Sequence, residues 1–280
     1  MSNKDLFFIA EAGINHNGSL QLAFDLIDMA VSAGCNAVKF QKRTPEICVP
    51  EGMKSVMRET PWGNISYLKY KELIEFGQEE YSAISKYCHD RRILWSASAW
   101  DIPSLEFLDQ FNLPFHKVAS ALATHTIFLE EVARRGIQTY ASVGMCSFEQ
   151  IDALVAIFAK HQCPLTLMHT VSTYPALDSD LNLRMIQTLG VRYGLPIGYS
   201  GHETSVSPSI VAAALGAVAI ERHITLDRAM WGTDHSASLE AAGLTQLIGA
   251  LRKVPVVLGD GIKKEIEEEK KIASKMRYWE

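Results

Sequence analysis

The stretch AIERHITLD, residues 219–227, carries the apolar spacing of a buried strand at Ala219, Ile220, Ile224 and Leu226. Three charged or titratable residues, Glu221, Arg222 and His223, interrupt it. Burying such groups without partners costs several kcal/mol, so each needs a reason to be there. Side chains alternate along a strand, which sends Glu221 and His223 to one face and Arg222 to the other. A strand of this kind fits a fold whose sheet encloses a polar site on one side. Arg222, on the opposite face, is expected to meet a carboxylate between strand and helix.

Working outward, seven more short apolar or β-branched runs precede this one: FFIAEAG (7–13), AVKFQ (37–41), ILWSAS (93–98), FHKVAS (115–120), QTYASVG (138–144), LTLMHT (165–170) and LPIGYS (195–200). Helical spacing follows at 20–34, 81–91, 148–162, 181–194, 207–217 and 244–254, and more weakly at 126–136. Strands alternating with helices specify a parallel sheet with helical crossovers. Eight such units predict an α/β fold, a single-domain (β/α)8 TIM barrel over residues 1–263. A doubly wound open sheet lacks support, because no glycine-rich phosphate fingerprint follows the first strand. Residues 42–80 form a long insertion after the second strand, of a length expected of a functional lid or a partly disordered segment. Residues 264–280 read as a charged C-terminal helix, whose KKEIEEEKK run is a solvated face.

Composition narrows the function. The chain has 280 residues, 48% of them hydrophobic, which suffices for a large core. A formal charge of −5 offers no basic field for nucleic acid. The five cysteines are scattered without metal-binding spacing and read as reduced thiols. No signal sequence is legible, and no apolar run approaches membrane-spanning length. A cytoplasmic protein with neither nucleic-acid nor membrane partners is the expectation.

In a barrel, the C-terminal strand ends carry the chemistry. Here they present Glu11, Asn15 and His16, then Lys39 and Gln41, Lys117 and Ser120, Ser142, His169, Ser172 and Tyr174, Ser200 and His202, Glu221 and His223, with Asp234 and His235 in the last loop. Each has an ordinary explanation alone. A lysine at a strand end usually snorkels, a lone histidine usually packs, and a serine such as Ser147 caps a helix. Convergence from most strand ends on one mouth has no such explanation. Two lysines and several hydroxyls suit a small anion bearing phosphate and carboxylate. His202 and His223, from adjacent strands, make an open divalent-metal site with water or substrate oxygens. Glu221 lies on the face of His223 and can orient a ligand or move a proton.

The motifs AEAGINHNGSL (10–20), AVKFQ (37–41), HKVAS (116–120), SVGM (142–145), HTVSTYP (169–175), IGYSGHE (197–203), IERHIT (220–225) and GTDHSASLE (232–240) resemble the catalytic barrel of the sialic acid synthase family. The resemblance implies an enzyme, a transferase that condenses phosphoenolpyruvate with an aldose such as an N-acyl hexosamine to give a nonulosonic acid. It implies that Lys39, Lys117, Ser120, Ser142 and Ser200 hold phosphoenolpyruvate, and that Gln41, Ser172, Tyr174 and Asp234 face the sugar. It further implies that His202 and His223 ligate a divalent metal, usually Mn with Mg or Co as substitutes, and that Glu11, Lys117 and Glu221 serve the chemistry. Carbon–carbon bond formation, water addition and loss of phosphate by carbon–oxygen cleavage would follow.

Three departures from the family pattern bear on the acceptor. SASAWD (96–101) stands for a usual S-T-P-F, placing Ala97 at a threonine position unless Ser96 or Ser98 replaces its hydroxyl. Leu122 in SAL (120–122) stands for a carboxylate near the sugar, and Ser172 for an asparagine. The antifreeze-like C-terminal domain of many members has no counterpart in the 280 residues, which leaves both a homodimer and a separately encoded partner domain open. Two further readings stand beside the synthase: a Schiff-base aldolase with Lys117 as nucleophile, and a barrel subunit or binding module that is inactive without its partner.

Overall fold

The computed structural model describes residues 6–279. Eight parallel strands form one sheet: β1 (Phe7–Gly13), β2 (Ala37–Lys42), β5 (Leu94–Ala99), β6 (His116–Val118), β7 (Thr139–Ser142), β8 (Leu165–Thr170), β9 (Ile197–Gly201) and β10 (Ala219–His223). The remaining two, β3 (Met57–Thr60) and β4 (Gly63–Ser66), pair as an antiparallel hairpin within the insertion. The order β5-β2-β1-β10-β9-β8-β7-β6 joins the first barrel strand to the last. The ends β5 and β6 lie side by side, and the Ser96 hydroxyl donates to the Phe115 carbonyl at 2.7 Å across that seam. The result is a nearly closed (β/α)8 barrel, as the alternation of runs predicts.

Strand alternation divides each barrel strand between two environments. Phe8, Ala10, Val38, Phe40, Ala97, Val118, Ala141, Leu167, Tyr199 and Ile220 face the surrounding helices in one continuous apolar core. Inside, at the N-terminal end, Ile9, Ala37 and Phe115 form a separate cluster against Phe7 and Tyr140. The rings of Phe7, Phe115 and Tyr140 lie 5.3 to 5.9 Å apart and fill the barrel bottom. Above this apolar plug the interior positions turn polar, as Glu11, Lys39, Lys117, Ser142, Ser200 and Glu221.

Arg222 meets the expectation set by its strand face. It is fully buried between β10, β9 and the helix Ser207–Ala214, with Glu203 at 2.8 Å, the Ser205 carbonyl at 2.9 Å and the Ser209 hydroxyl at 2.9 Å. The Tyr199 hydroxyl donates to the second Glu203 oxygen at 2.7 Å. Gly201 is required beside this cluster, because a Cβ there would lie 2.6 Å from a Glu203 carboxylate oxygen.

Around the barrel, outside the insertion, the helices follow the sequence pattern with one addition. Helix Ile102–Asp109 does not stand out by apolar spacing; Asp101 starts it, accepting from the Ser104 amide at 2.7 Å, with Pro103 in the first turn. Ser147 caps the helix Phe148–Lys160 as expected, in a reciprocal pair with Gln150. The insertion is an ordered lobe. After the short helices Pro45–Cys48 and Glu51–Lys54, the β3–β4 hairpin leads into helix Tyr67–Ile74. Tyr70 and Ile74 pack on Ile14 and Trp231, which ties the lobe to the first and last strand-to-helix loops. The helix Ala241–Leu258 is long and apolar enough to cross a membrane by length and composition, contrary to the reading of the sequence. Leu244, Leu247, Ile248 and Leu251 nevertheless seat one of its faces in the barrel core. A charged helix, Glu267–Met276, follows near the C-terminus.

Two predictions follow from the buried polar groups. Glu203→Ala strands the Arg222 guanidinium and is expected to cost about 3–5 kcal/mol of unfolding free energy. The pair replacement Glu203→Leu with Arg222→Met costs clearly less, as measured by chemical denaturation. Burial holds the His16 imidazole down to about 3, and burial with the nearby Arg135 charge holds His116 down to about 4. Unfolded histidine titrates near 6.5, so both favour the native state above that pH, and their contribution is lost as pH falls toward the folded values. The urea midpoint of metal-free protein should therefore drop between pH 7.5 and pH 5, and His16→Gln should flatten that drop.

Candidate active site

At the C-terminal mouth of the barrel a cavity of about 640 Å³, counting its open entrance, collects side chains from all eight strand ends and the loops that follow them. Its inner wall holds four buried charges. Glu11, Lys39, Lys117 and Glu221 are 1%, 2%, 5% and 5% exposed. Lys39 forms a short ion pair with Glu11 and stands 3.8 Å from Glu221. Lys117 is 3.6 Å from the other Glu221 oxygen. The strand register makes this so: Glu11 on β1 lies level with both Lys39 on β2 and His223 on β10.

Hydroxyls complete the wall. Lys39 donates to Ser98 at 2.8 Å and Lys117 to Ser142 at 2.7 Å. Ser200 donates to Glu221 at 3.1 Å. Ser120 accepts from the Gly144 amide at 3.1 Å, which leaves its own proton free for a ligand. Burial raises the Glu11 carboxyl above the usual carboxylate range, against the pull of Lys39. Burial also opposes ionisation of Glu221, yet Lys117 and Lys39 outweigh it and hold that carboxyl below the usual range. Lys117 is pushed down by burial, with Glu221 opposing and Lys39 adding. Two carboxyls a few ångströms apart thus have environments that push them in opposite directions.

The two histidines line the same cavity side by side from neighbouring strands, their ring centroids 5.7 Å apart. Nδ1 of His202 lies 2.7 Å from the Val171 carbonyl, so it carries the proton and leaves Nε2 as an acceptor. The Tyr174 hydroxyl donates to that Nε2 at 2.8 Å. His202 is held down to about 3, by burial first and then by His223, so it stays neutral. Nδ1 of His223 is buried and has no hydrogen-bond partner. Gly13 has a φ of +53°, and a Cβ there would come within 3.4 Å of Glu11, Gln41 and His223. The bare glycine keeps a small space open between a carboxylate, an amide and an imidazole. A fixed His202 tautomer, an orphaned His223 nitrogen and this open space fit a divalent cation. No group of three or more His, Cys, Asp or Glu suited to a metal exists among the described residues, so the protein offers two imidazoles and an open remainder.

Of the site residues read from the sequence, Glu11, Lys39, Gln41, Lys117, Ser120, Ser142, Ser172, Tyr174, Ser200, His202, Glu221 and His223 all line this one cavity. Asp234 does not. It sits part-buried in the last loop, where His223 and then Lys71 and Arg43 lower its carboxyl against the effect of burial. His169 points outward from β8 to the Leu181 carbonyl at 2.7 Å and is structural. His16 stacks on Phe76 with centroids 3.9 Å apart, Asn15 bonds the Ile224 carbonyl, and His235 bonds Thr225. Ala97 faces the helix layer, and Ser98 supplies the hydroxyl at the mouth. Leu122 lines a neighbouring pocket with Phe128, separated from the main cavity by Trp100. Trp100 and Met145 were not legible as site residues. Ser98 was, two positions beyond Ser96 on the inward-facing alternation.

Comparison with known proteins identifies the family. The NeuB family profile matches residues 26–263. N-acetylneuraminate-9-phosphate synthase of Homo sapiens is 37% identical over 92% of this chain and 72% of its own length. N,N'-diacetyllegionaminic acid synthase of Campylobacter jejuni is 32% identical over 96% of this chain and 82% of its own. Among solved structures, N-acetylneuraminic acid synthetase from Leptospira borgpetersenii, in complex with citrate, superposes with a TM-score of 0.87 at 33% identity, covering 99% of this chain and 94% of that one. By family match, sequence identity and barrel alike, the chain belongs to the NeuB family.

Proposed function

We propose that this protein is a nonulosonate-type synthase that condenses phosphoenolpyruvate with an aldose and releases phosphate. The observation that carries the reading is the buried Lys39–Glu11–Glu221–Lys117 set with its serine donors, which lines one cavity together with His202 and His223. The relatives named above are synthases of closely related acids, which supports the reaction class. Their names differ in whether the product is phosphorylated, so they leave the acceptor undecided.

Lys39 and Lys117 supply two ammonium groups for the phosphate and carboxylate of phosphoenolpyruvate. Before substrate arrives they lean on Glu11 and Glu221, so an incoming anion finds fixed, desolvated cations and needs little reorganisation. Ser120 donates its free proton to the same ligand, while Ser98, Ser142 and Ser200 fix the lysines and Glu221 in place. His202 and His223 would hold a divalent ion, Mn by family resemblance, and when bound that ion polarises the aldehyde oxygen of the acceptor. The methylene carbon of phosphoenolpyruvate attacks the aldehyde carbon, and the aldehyde oxygen takes a proton. Water adds at the carbon that bears the phosphate, losing a proton, and the carbon–oxygen bond to phosphate breaks to leave the keto group. Glu11, close to Lys39 and to the Gln41 amide at 3.1 Å, is placed to hold or pass a proton beside the reacting atoms. Gln41, Ser172 and Tyr174 line the outer part of the cavity and orient the sugar. A reaction of this kind belongs in the cytoplasm.

The reading is tested by incubating the protein with phosphoenolpyruvate, Mn and a panel of free and phosphorylated aldoses, and following phosphate release and product mass. It requires a keto acid from at least one aldose and no phosphate release without it. His223→Ala should abolish the Mn-dependent rate and weaken Mn binding with the fold retained; Mn binding that survives unchanged would sink the metal assignment. A stable borohydride-trapped pyruvate adduct on Lys117 would favour the aldolase chemistry instead.

A further inference from the structure

The insertion carries a group of cations that the reaction as described leaves unused. Lys71 is 6% exposed, and its Nζ lies 4.9 Å and 5.3 Å from the ring centroids of Tyr70 and Tyr67. Among the described residues it makes neither an ion pair nor a hydrogen bond. Arg58 lies against the same two rings, at 5.2 Å and 5.9 Å, likewise without a carboxylate partner. Arg43 stacks on Trp100 at 4.2 Å and donates to the Gln41 side chain, yet its Nε is buried with no acceptor. Trp100 and Gln41 both line the catalytic cavity, so Arg43 joins the cluster to that cavity.

The acids that face this group do not neutralise it. Glu75 is taken up by Lys42 at 2.9 Å. Asp234 faces both His223 and the pair Lys71 and Arg43, which offsets one charge of three. Glu59 beside Arg58 is exposed to solvent. Burial, with Arg43 and Arg58 adding to it, holds the Lys71 ammonium down to about 8. Lys71 is nearly dry and has Asp234 and Glu75 near it, yet no carboxylate is bonded to it among the described residues.

We propose that Arg43, Arg58 and Lys71 form a second anion subsite, which takes a phosphomonoester carried by the acceptor sugar at the end remote from its aldehyde. The inference rests on the synthase reading. On that reading phosphoenolpyruvate occupies Lys39 and Lys117, the aldehyde end of the acceptor lies toward His202 and His223, and the cluster adjoins the cavity through Arg43 on Trp100 and through Asp234, which lies near both His223 and Lys71. A phosphomonoester carries close to two negative charges, which match the surplus of the cluster. The guanidinium forks of Arg43 and Arg58 suit its oxygens, and Lys71 adds a point charge. The tyrosine rings under Arg58 and Lys71 position both cations without satisfying them.

The test separates binding from reaction by using acceptors that cannot react. N-acetylmannosamine 6-phosphate and N-acetylmannosamine are reduced with borohydride to their alditols, and binding of each is measured by calorimetry with and without saturating phosphoenolpyruvate. The phosphorylated alditol is expected to bind at least tenfold more tightly, both with and without phosphoenolpyruvate. Lys71→Met and Arg58→Gln should each erase most of that advantage, leaving the phosphate-free alditol and the affinity for phosphoenolpyruvate unchanged. Equal binding of the two alditols, binding of neither, or variants that weaken both alike would overturn the subsite. Displacement of the phosphorylated alditol by excess phosphoenolpyruvate would assign the cluster to that substrate and overturn its role for the acceptor. Absence of phosphoenolpyruvate binding, with the tenfold preference intact, would instead count against the synthase reading.

Discussion

Four buried charges inside the barrel govern this structure. Removing even one ion pair from water costs several kcal/mol per ion, and here two lysines and two glutamates are removed together. Their mutual compensation makes the arrangement tolerable. Lys39 lies between Glu11 and Glu221, and Glu221 between Lys39 and Lys117, so each charge has an opposite neighbour within 4 Å. The compensation depends on register. A shift of one residue in β1 or β10 would turn Glu11 or Glu221 into the apolar layer under the helices. In β10 the shift would also bring Arg222 into the cavity and leave Glu203 buried without its partner.

The polar layer also explains why the barrel is built in two storeys. Phe7, Phe115 and Tyr140 close the bottom with aromatic packing and keep water from reaching the charges from below. Above them the cavity opens toward the mouth, and the insertion and the last strand-to-helix loop meet through Tyr70 and Trp231. A ligand that enters meets cations already fixed by hydroxyls and carboxylates. Tyr174 packs beside His202: its hydroxyl occupies Nε2 of that histidine and has to yield before the nitrogen can take another partner.

Much of this was legible in the sequence, for physical reasons. Period-two alternation is strict in a barrel strand, so AIERHITLD by itself assigns Glu221 and His223 to one side and Arg222 to the other. The same logic carries Lys39 with Gln41, and Ser200 with His202. It failed where a residue near a strand end belongs to the other face or to a loop. His169 follows the outward alternation of β8 and bonds the Leu181 carbonyl, although its type suggested chemistry. Asp234 lies in a loop, where no periodicity fixes direction, and lies outside the cavity lining. Trp100 gave no signal because an aromatic residue after a strand is usually core. The lobe at 42–80 was visible only as excess length, since its short helices and its hairpin depend on packing against Ile14 and Trp231.

The central claim is that Lys117 and Glu221 form a self-compensating pair that yields to an anionic substrate. It is tested most directly by titrating phosphoenolpyruvate calorimetrically into the wild type and into Lys117→Met combined with Glu221→Gln, which removes both charges together and leaves no stranded ion. The account predicts a fold that is retained in thermal denaturation and an affinity for phosphoenolpyruvate lowered at least a hundredfold. Undiminished affinity in the folded double variant would contradict it.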